Sequence, residues 1–400
     1  MLRKHLDKFM HIIVLEHEPS SVRGGQELNL FEICRGLYQR GHKISLIYER
    51  EGNLIKDYHA FCESIIKINR YEFNRKKINE VFDFLSDVAI TYNNISTSKN
   101  SVLFSNSYYS TFLGYVLSVL KRIPLVCYFQ IPPLGGFTRQ MRMGMNGVKQ
   151  FIAVSNQTKS DWVKLGSLKE DKIEVVYNGT NIEKFYPSKD FSAIRKEWNI
   201  LEDVKVVSYV GRLDRMKGLE TLIKAFALLV KTGVSARLLF AGRPIVHQDP
   251  ETGEESLEEG EKYLQFLKQL SIDFGIEKYV DFLGHVTNTT SVYQVSDVTV
   301  LPSEWPEPFP RSIIESMACG TPVVASRTGG IPENLTGEFQ KGLFEPGNER
   351  DLSDTLSRIM NWRDTEPQLG ERCREHVLAK FSLDKLVDGI EKVLLKVIKQ

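Results

Sequence analysis

The 400-residue sequence lacks any apolar run long enough to cross a membrane. After its basic start, the stretch Met10 to Leu15 is the first apolar one and has His11 inside it, and nothing else approaches the roughly 18 residues that a helical span needs. The same stretch is too short for a signal peptide, so a cytoplasmic chain is expected, at most peripheral at a membrane. Cysteine is scarce: Cys34, Cys62, Cys127, Cys319 and Cys373 are odd in number and widely spaced. With no CxxC pair and no Cys/His cluster, a disulfide framework and a zinc site are both disfavoured, and reduced thiols are expected. There is no G-x-G and no GxxxxGK, so the dinucleotide fingerprint and the P-loop are both missing. Excess charge is missing too: the net value is +1, which gives no global attraction to nucleic acid. The charge is uneven, however. Residues 1–185 hold 25 Lys/Arg against 18 Asp/Glu, and the remainder hold 27 against 33. The first half therefore either meets something anionic or complements the second.

What the sequence has is a regular alternation. Short β-branched apolar runs fall at 10–16, 43–49, 102–105, 124–129, 150–154 and 173–177, with helical patterns at 25–40, 75–95, 108–121 and 156–165 between them. The pattern restarts with runs at 204–210, 237–241, 280–283, 297–301 and 322–326, and helices at 218–232, 260–274, 311–318, 349–361 and the last thirty residues. Continuous apolar strands separated by helices predict parallel sheets covered on both faces. The class is thus α/β, with two Rossmann-like domains, 1–186 and 187–381, facing a central cleft and joined through the charged passage 185–203. The final helix carries Leu383, Leu386, Val387, Ile390, Val393, Leu394 and Val397 on one stripe, which 382–400 can bury back on the first domain. The acidic segment 247–261 reads as a mobile surface loop.

Ligands of parallel sheets bind at the C-terminal strand ends. After the first strand, Gly24 and Gly25 precede a helix, where close backbone approach and free N–H groups suit an anion; a loop that merely needs positive φ is the open alternative. After strand 204–210, Arg212 and Lys217 flank a turn and could grip one pyrophosphate as fork and point charge, or be two solvated cations. After strand 297–301 comes PSEWPEPFPRSIIE. Glu307 just before the helix and Glu315 inside it can accept sugar hydroxyls, while the amides of Phe309, Arg311 and Ser312 can face a phosphate. Glu304 reads as an exposed neighbour. His17 and His285 are expected to be structural, and His42 a turn residue.

The ordered set GG-x-E at 24–27, SNQTKSDWV at 155–163, VVYNGTN at 175–181, GRLDRMKG at 211–218, EPFPRSIIE at 307–315 and TGGIPE at 328–333 resembles the retaining glycosyltransferases of family four, with the GT-B fold. That resemblance spans nearly the whole chain. It implies that Arg212 and Lys217 hold the donor diphosphate, Glu307 binds the transferred sugar and Glu315 the ribose. Gly25 would lie against the donor as the cleft closes, with Ser303, Gly329 and Gly330 lining the donor pocket. It also implies no metal ion and no cofactor, and no two aspartates here stand two apart, so the DxD motif is absent. Two departures stand out: Pro310 and Arg311 replace the usual glycine and aliphatic residue, and Gln130 stands where the family commonly has a histidine close to the sugar's C6 side, where a glutamine can still hydrogen-bond a hydroxyl but cannot titrate near neutral pH.

The resemblance implies transfer of a sugar from a nucleotide-diphosphate-sugar to an acceptor hydroxyl by front-side displacement. A nucleotide-sugar epimerase or hydrolase on the same scaffold and a non-catalytic two-domain sugar-binding protein are the alternatives. The acceptor, a glycan or a lipid-linked sugar, is not legible. The basic-apolar stretches 67–77 and 137–149 suit either anionic headgroups or plain solvent.

Overall fold

A computed structural model describes residues 9–21, 24–188, 190–245, 247–248 and 255–399. The basic N-terminal residues and most of the tip of the acidic segment (249–254) lie outside the described residues. The chain divides into two compact units, Met1–Gly179 with Leu383–Gln400, and Thr180–Ser382.

The first unit is built on seven strands: β1 (His11–Glu16), β2 (Lys43–Tyr48), β3 (Cys62–Lys67), β4 (Ser101–Ser105), β5 (Leu125–Phe129), β6 (Gln150–Ala153) and β7 (Ile173–Val175). All neighbours run parallel, in the order β3-β2-β1-β4-β5-β6-β7. Helices α1 (Gly25–Gln39), α2 (Ile78–Asn94), α3 (Thr111–Lys121), α4 (Arg139–Asn146) and α5 (Asn156–Lys164) connect them. β1, β4, β5 and β6 are buried along their whole length, as strands covered on both faces must be. The core between sheet and helices includes a stack of Phe129 on Trp162, ring centroids 3.8 Å apart.

The second unit holds α6 (Ser192–Glu197), β8 (Lys205–Val210), α7 (Leu219–Lys231), β9 (Ala236–Ala241), α8 (Glu258–Asp273), β10 (Val280–Gly284), α9 (Thr289–Val295), β11 (Val298–Leu301), α10 (Arg311–Ala318), β12 (Val323–Ser326), β13 (Leu343–Phe344), α11 (Glu349–Ile359) and α12 (Leu369–Lys380). Its parallel sheet has the order β10-β9-β8-β11-β12-β13. The buried face of α7 includes Leu222, Ile223, Phe226 and Leu229, each contributing about 1.5–3 kcal/mol.

Helix α13 (Leu383–Ile398) returns to the first unit. Its stripe Leu386, Val387, Ile390, Val393, Leu394 and Val397 is buried, and it approaches α1 so closely that a Cβ on Gly36 would stand 2.7 Å from Val387. Arg40 pairs with Asp388 and Glu391 at 2.7 Å each. His42 is more than a turn residue: its Nδ1 accepts the Met10 N–H, and its Nε2 lies 2.9 Å from Glu391.

Several sequence expectations shift. The units part after Gly179, not near 186. Residues 180–187 belong to the second unit because Phe185 packs edge-on against Tyr293 and Gln294 donates to the Tyr186 carbonyl. The charged passage 185–203 contains α6, whose Arg195 is buried and donates to the carbonyls of Leu201 and Val204. The edge strand β3, half exposed, was not anticipated, nor were α4 and α9. The far end of the acidic segment is the start of α8 rather than a loop. All five cysteines are free thiols.

Candidate active site

In the second unit, β8 and β11 lie side by side while the chain continues from them to opposite edges of the sheet. This is the topological switch point at which parallel sheets bind ligands. After β8 the chain makes a tight turn over Arg215–Lys217, capped by Asp214, whose Oδ1 accepts the Met216 N–H at 3.0 Å. The Met216 carbonyl in turn receives the N–H groups of Glu304 and Trp305 at 3.1 and 3.2 Å, tying this turn to the loop after β11. The approach requires Gly218, at φ +65°, since a Cβ there would stand 2.1 Å from the Pro302 carbonyl oxygen.

That closeness brings the candidates together. Lys217 Nζ lies 2.5 Å from Glu307 Oε1, and the Ser303 hydroxyl donates to the same oxygen at 2.9 Å. Glu307 and Ser303 are both buried. Gly330 N–H donates to the Glu307 carbonyl at 2.7 Å. Gly329, at φ +55°, sits where a Cβ would meet that carbonyl at 2.3 Å. Arg212 is exposed and makes no ion pair among the described residues; its own carbonyl accepts the Tyr209 hydroxyl at 2.6 Å. A cation, a carboxylate and a second, exposed cation thus follow two neighbouring strands, a set suited to phosphate and hydroxyl groups. Glu304 is exposed and accepts the Thr221 hydroxyl at 2.9 Å.

Helix α10 starts at Arg311 behind Pro310, so its first-turn N–H groups, Ser312 among them, have no intrahelical acceptor. The Phe309 ring is core, edge-on to Phe381 at 5.3 Å, which leaves the main chain as its route to a ligand. Arg311 does not point outward: its Nε donates to Glu315 Oε1 at 3.2 Å, while Tyr293 donates to Glu315 Oε2 at 3.1 Å. Each carboxylate oxygen keeps a lone pair for a hydroxyl. Tyr293 was not foreseen, because the β-branched TTSVYQV that forms α9 gives little helical signal.

In the first unit, Gly24 caps α1 with φ 179°, ordinary extended backbone, so its dihedral does not demand glycine. Gln130 is buried in a polar chain. Its Oε1 accepts from Asn29 at 2.9 Å, and its Nε2 donates to Asn106 Oδ1 at 2.6 Å and to the Gln26 carbonyl at 3.1 Å. Asn106 then donates to Glu16 Oε2 at 2.6 Å, and the His17 N–H to Glu16 Oε1 at 2.7 Å. Burial, reinforced by the neighbouring Glu27, pushes the Glu16 carboxyl up to about 8 against those bonds. Gln130 therefore links α1 to the end of β1 through side chains and has no donor left for a sugar. Glu16 escaped notice because a single carboxylate at a strand end carries no spacing signal. His17 bonds Glu49 at 2.9 Å, and His285 is exposed. Among the described residues no group of three or more His, Cys, Asp or Glu side chains is placed to hold a metal ion, and no helix is long and apolar enough to cross a membrane.

Two parallel α/β domains of this topology define the GT-B class of glycosyltransferase folds. Residues 23–184 match the model of Glycosyltransferase Family 4, and residues 190–376 that of Glycosyl transferases group 1. The two together take in most of the chain, which belongs to these glycosyltransferases. It is 29% identical to the N-acetyl-alpha-D-glucosaminyl L-malate synthase of Bacillus anthracis over 65% of its own length and 62% of the relative's, so the match spans about three fifths of that protein. Among solved structures, a glycosyltransferase from Rickettsia africae superposes with a TM-score of 0.81 at 20% identity, covering 98% of this chain and 99% of the other. The Anabaena protein HepE, in complex with UDP and glucose, gives 0.77 at 21% identity over 96% and 99%.

Proposed function

We propose that the protein is a retaining glycosyltransferase that moves a sugar, a hexose, from a nucleoside-diphosphate-sugar to an acceptor hydroxyl. The observation that carries this is the Lys217–Glu307–Ser303 cluster, which sets a cation and a hydroxyl-accepting carboxylate within 2.5 Å of each other beside the start of α10. In this reading Arg212 and Lys217 neutralise the diphosphate, with the α10 amides and the Gly329–Gly330 turn beside it. Glu307 orients the transferred sugar and Glu315 holds the ribose. Gly24 and Gly25 serve donor binding through the N-terminus of α1. HepE, seen with UDP and glucose, supports a uridine diphosphate donor.

As the anomeric C–O bond to the phosphate breaks, charge builds on the β-phosphate oxygens, where fixed cations and N–H groups stabilise it. The acceptor oxygen bonds the anomeric carbon on the same face, and its proton passes to the leaving phosphate. Glu307 Oε1 is already engaged by Lys217 and Ser303, which argues against its serving as a nucleophile. The cations carry the charge that a metal would otherwise neutralise, so transfer proceeds without a metal ion or cofactor, and chelator leaves the rate unchanged. Reaction takes place in the cytoplasm, with the first unit against anionic lipid. There Ile78, Phe82 and Leu85 form an exposed ridge on α2, just after Arg75, Lys76 and Lys77. Sedimentation with phosphatidylglycerol vesicles but not with phosphatidylcholine vesicles is the expected sign.

Thermal stabilisation by UDP-, GDP-, ADP- and CDP-sugars tests the reading, one donor class raising Tm well above the others. No shift with any of them overturns it. Release of free or rearranged sugar from donor alone, without an acceptor, overturns the transferase assignment.

A further inference from the structure

The first unit has its own switch point, between β1 and β4, and there the structure holds a cavity of about 530 Å³. Four carboxyl groups line it: Glu16 at the end of β1, Glu27 in the first turn of α1, Glu49 just after β2 and Glu72 shortly beyond β3. Its basic side chains among the described residues are Arg70 and His17. Both are already engaged: Arg70 is paired with Glu80 at 2.8 Å and Asp83 at 3.1 Å, its buried Nε lacking a hydrogen-bond partner among the described residues, and His17 bonds Glu49. Among the described residues, the surplus of basic side chains in this half of the sequence is therefore not what the cavity presents.

The carboxyl groups are prepared for hydroxyl or amine donors. Glu72 Oε2 accepts the Thr138 hydroxyl at 3.0 Å, while its Oε1 is buried with no hydrogen-bond partner among the described residues. Such an oxygen is costly unless a donor reaches it. Burial raises the Glu72 carboxyl and raises Glu16 further, so Glu16 holds a proton at neutral pH and can donate as well as accept. Tyr109 supplies a half-exposed aromatic face at the cavity edge, on which a sugar ring can lie.

We propose that this cavity seats the acceptor, which rests on the glycosyltransferase reading above, and that it selects a sugar bearing hydroxyl or amino groups and rejects one bearing phosphate or carboxylate at the cavity. An anionic substituent would enter a site lined by several carboxylates with no cation outside an ion pair or hydrogen bond among the described residues, a like-charge arrangement that recognition sites use for exclusion. An amino group would instead find the unpartnered oxygen of Glu72.

The test uses the full chain and saturable binding by calorimetry, with and without UDP. The probes are methyl glycosides of glucose, galactose and mannose, their 2-amino counterparts and their 6-phosphates. The expected result is saturable binding in the neutral or amino set and binding at least roughly tenfold weaker for the matching phosphate. Glu72→Gln and Glu49→Gln should each narrow that gap. Equal or tighter binding of the phosphates, a gap unchanged in both variants, or no saturable binding by any probe overturns the inference. UDP binding is read separately: UDP bound with this pattern absent removes the acceptor inference alone, whereas failure of UDP, with other nucleotides also silent, removes the donor reading.

Discussion

The ammonium of Lys217 lies 2.5 Å from the carboxylate of Glu307, although ninety positions separate them in the sequence. Two chain turns made compatible by Gly218 and Gly329 create that contact, and each residue fixes the other's place. In the proposed reading Lys217→Ala removes a cation from the diphosphate, and it leaves Glu307 with Ser303 alone; Arg212→Ala removes an exposed cation and disturbs nothing around it. Both should lower turnover by about 10²–10³-fold. Arg212→Ala should keep the wild-type Tm, and Lys217→Ala should lose a few degrees. Initial rates on purified variants, beside melting curves, check this; wild-type turnover in both would remove the phosphate clamp.

Glu307→Gln keeps the shape and a hydrogen bond from Ser303 but not the ion pair. If Glu307 orients the transferred sugar, kcat should fall about a hundredfold while affinity for the nucleoside diphosphate changes by only a few fold. Calorimetry with UDP beside steady-state rates separates the two quantities. A parallel loss in both would reassign Glu307 to holding Lys217 in place.

Much of this architecture could be read from the sequence, because strands buried on both faces are written as unbroken apolar runs such as HIIVLE and LVCYF. What escaped was structure whose pattern is diluted by its position. β3, CESIIK, is an edge strand with Glu63 and Lys67 in solvent, so its alternation is weak. α4 contains Gly144, a poor helix former, which is there because a Cβ would stand 2.5 Å from Thr111. In the site, the order of motifs marked Lys217, Glu307 and Ser303, yet no spacing could say that they share one oxygen. Gln130 was marked as a substitution of a histidine, and its link to Glu16 through Asn106 exists only in three dimensions.

The return of α13 to the first unit should be sensitive to acid. Burial raises the Glu391 carboxyl, but the hydrogen bonds from His42 and Arg40 outweigh it and hold the group below its ordinary 4.5. A depressed carboxyl contributes stability that is whole above the unfolded value and is lost as the pH falls through the lower, folded one. Glu391→Gln should therefore destabilise the protein by about 1 kcal/mol at pH 7, a modest figure because solvent reaches the pair. The difference from wild type should fade below pH 4.5. Denaturant midpoints of both proteins from pH 3 to 8 check it; a difference that persists undiminished at pH 3 would mean that shape, not charge, holds the helix.

Glu16 should behave in the opposite sense. Its carboxyl is raised from 4.5 to about 8, so below pH 4.5 folded and unfolded chains both carry the proton. As the pH climbs from 4.5, the unfolded chain releases its proton while the folded one keeps it, and stability falls until the folded group ionises near 8. The slope approaches about 1.4 kcal/mol per pH unit at its steepest. In Glu16→Gln the carboxamide presents an N–H where one oxygen accepted from Asn106 or His17, which costs a constant amount at every pH. The absolute stabilities of the two proteins are therefore uninformative, and the slope is the measurement. Between pH 5 and 8 the wild type should lose stability relative to the variant, and above 8 the curves should run parallel. Parallel curves throughout would mean that Glu16 is ionised at neutral pH. It could then accept a hydroxyl but not donate to one, and the cavity beside β1 would be more hostile still to an anion.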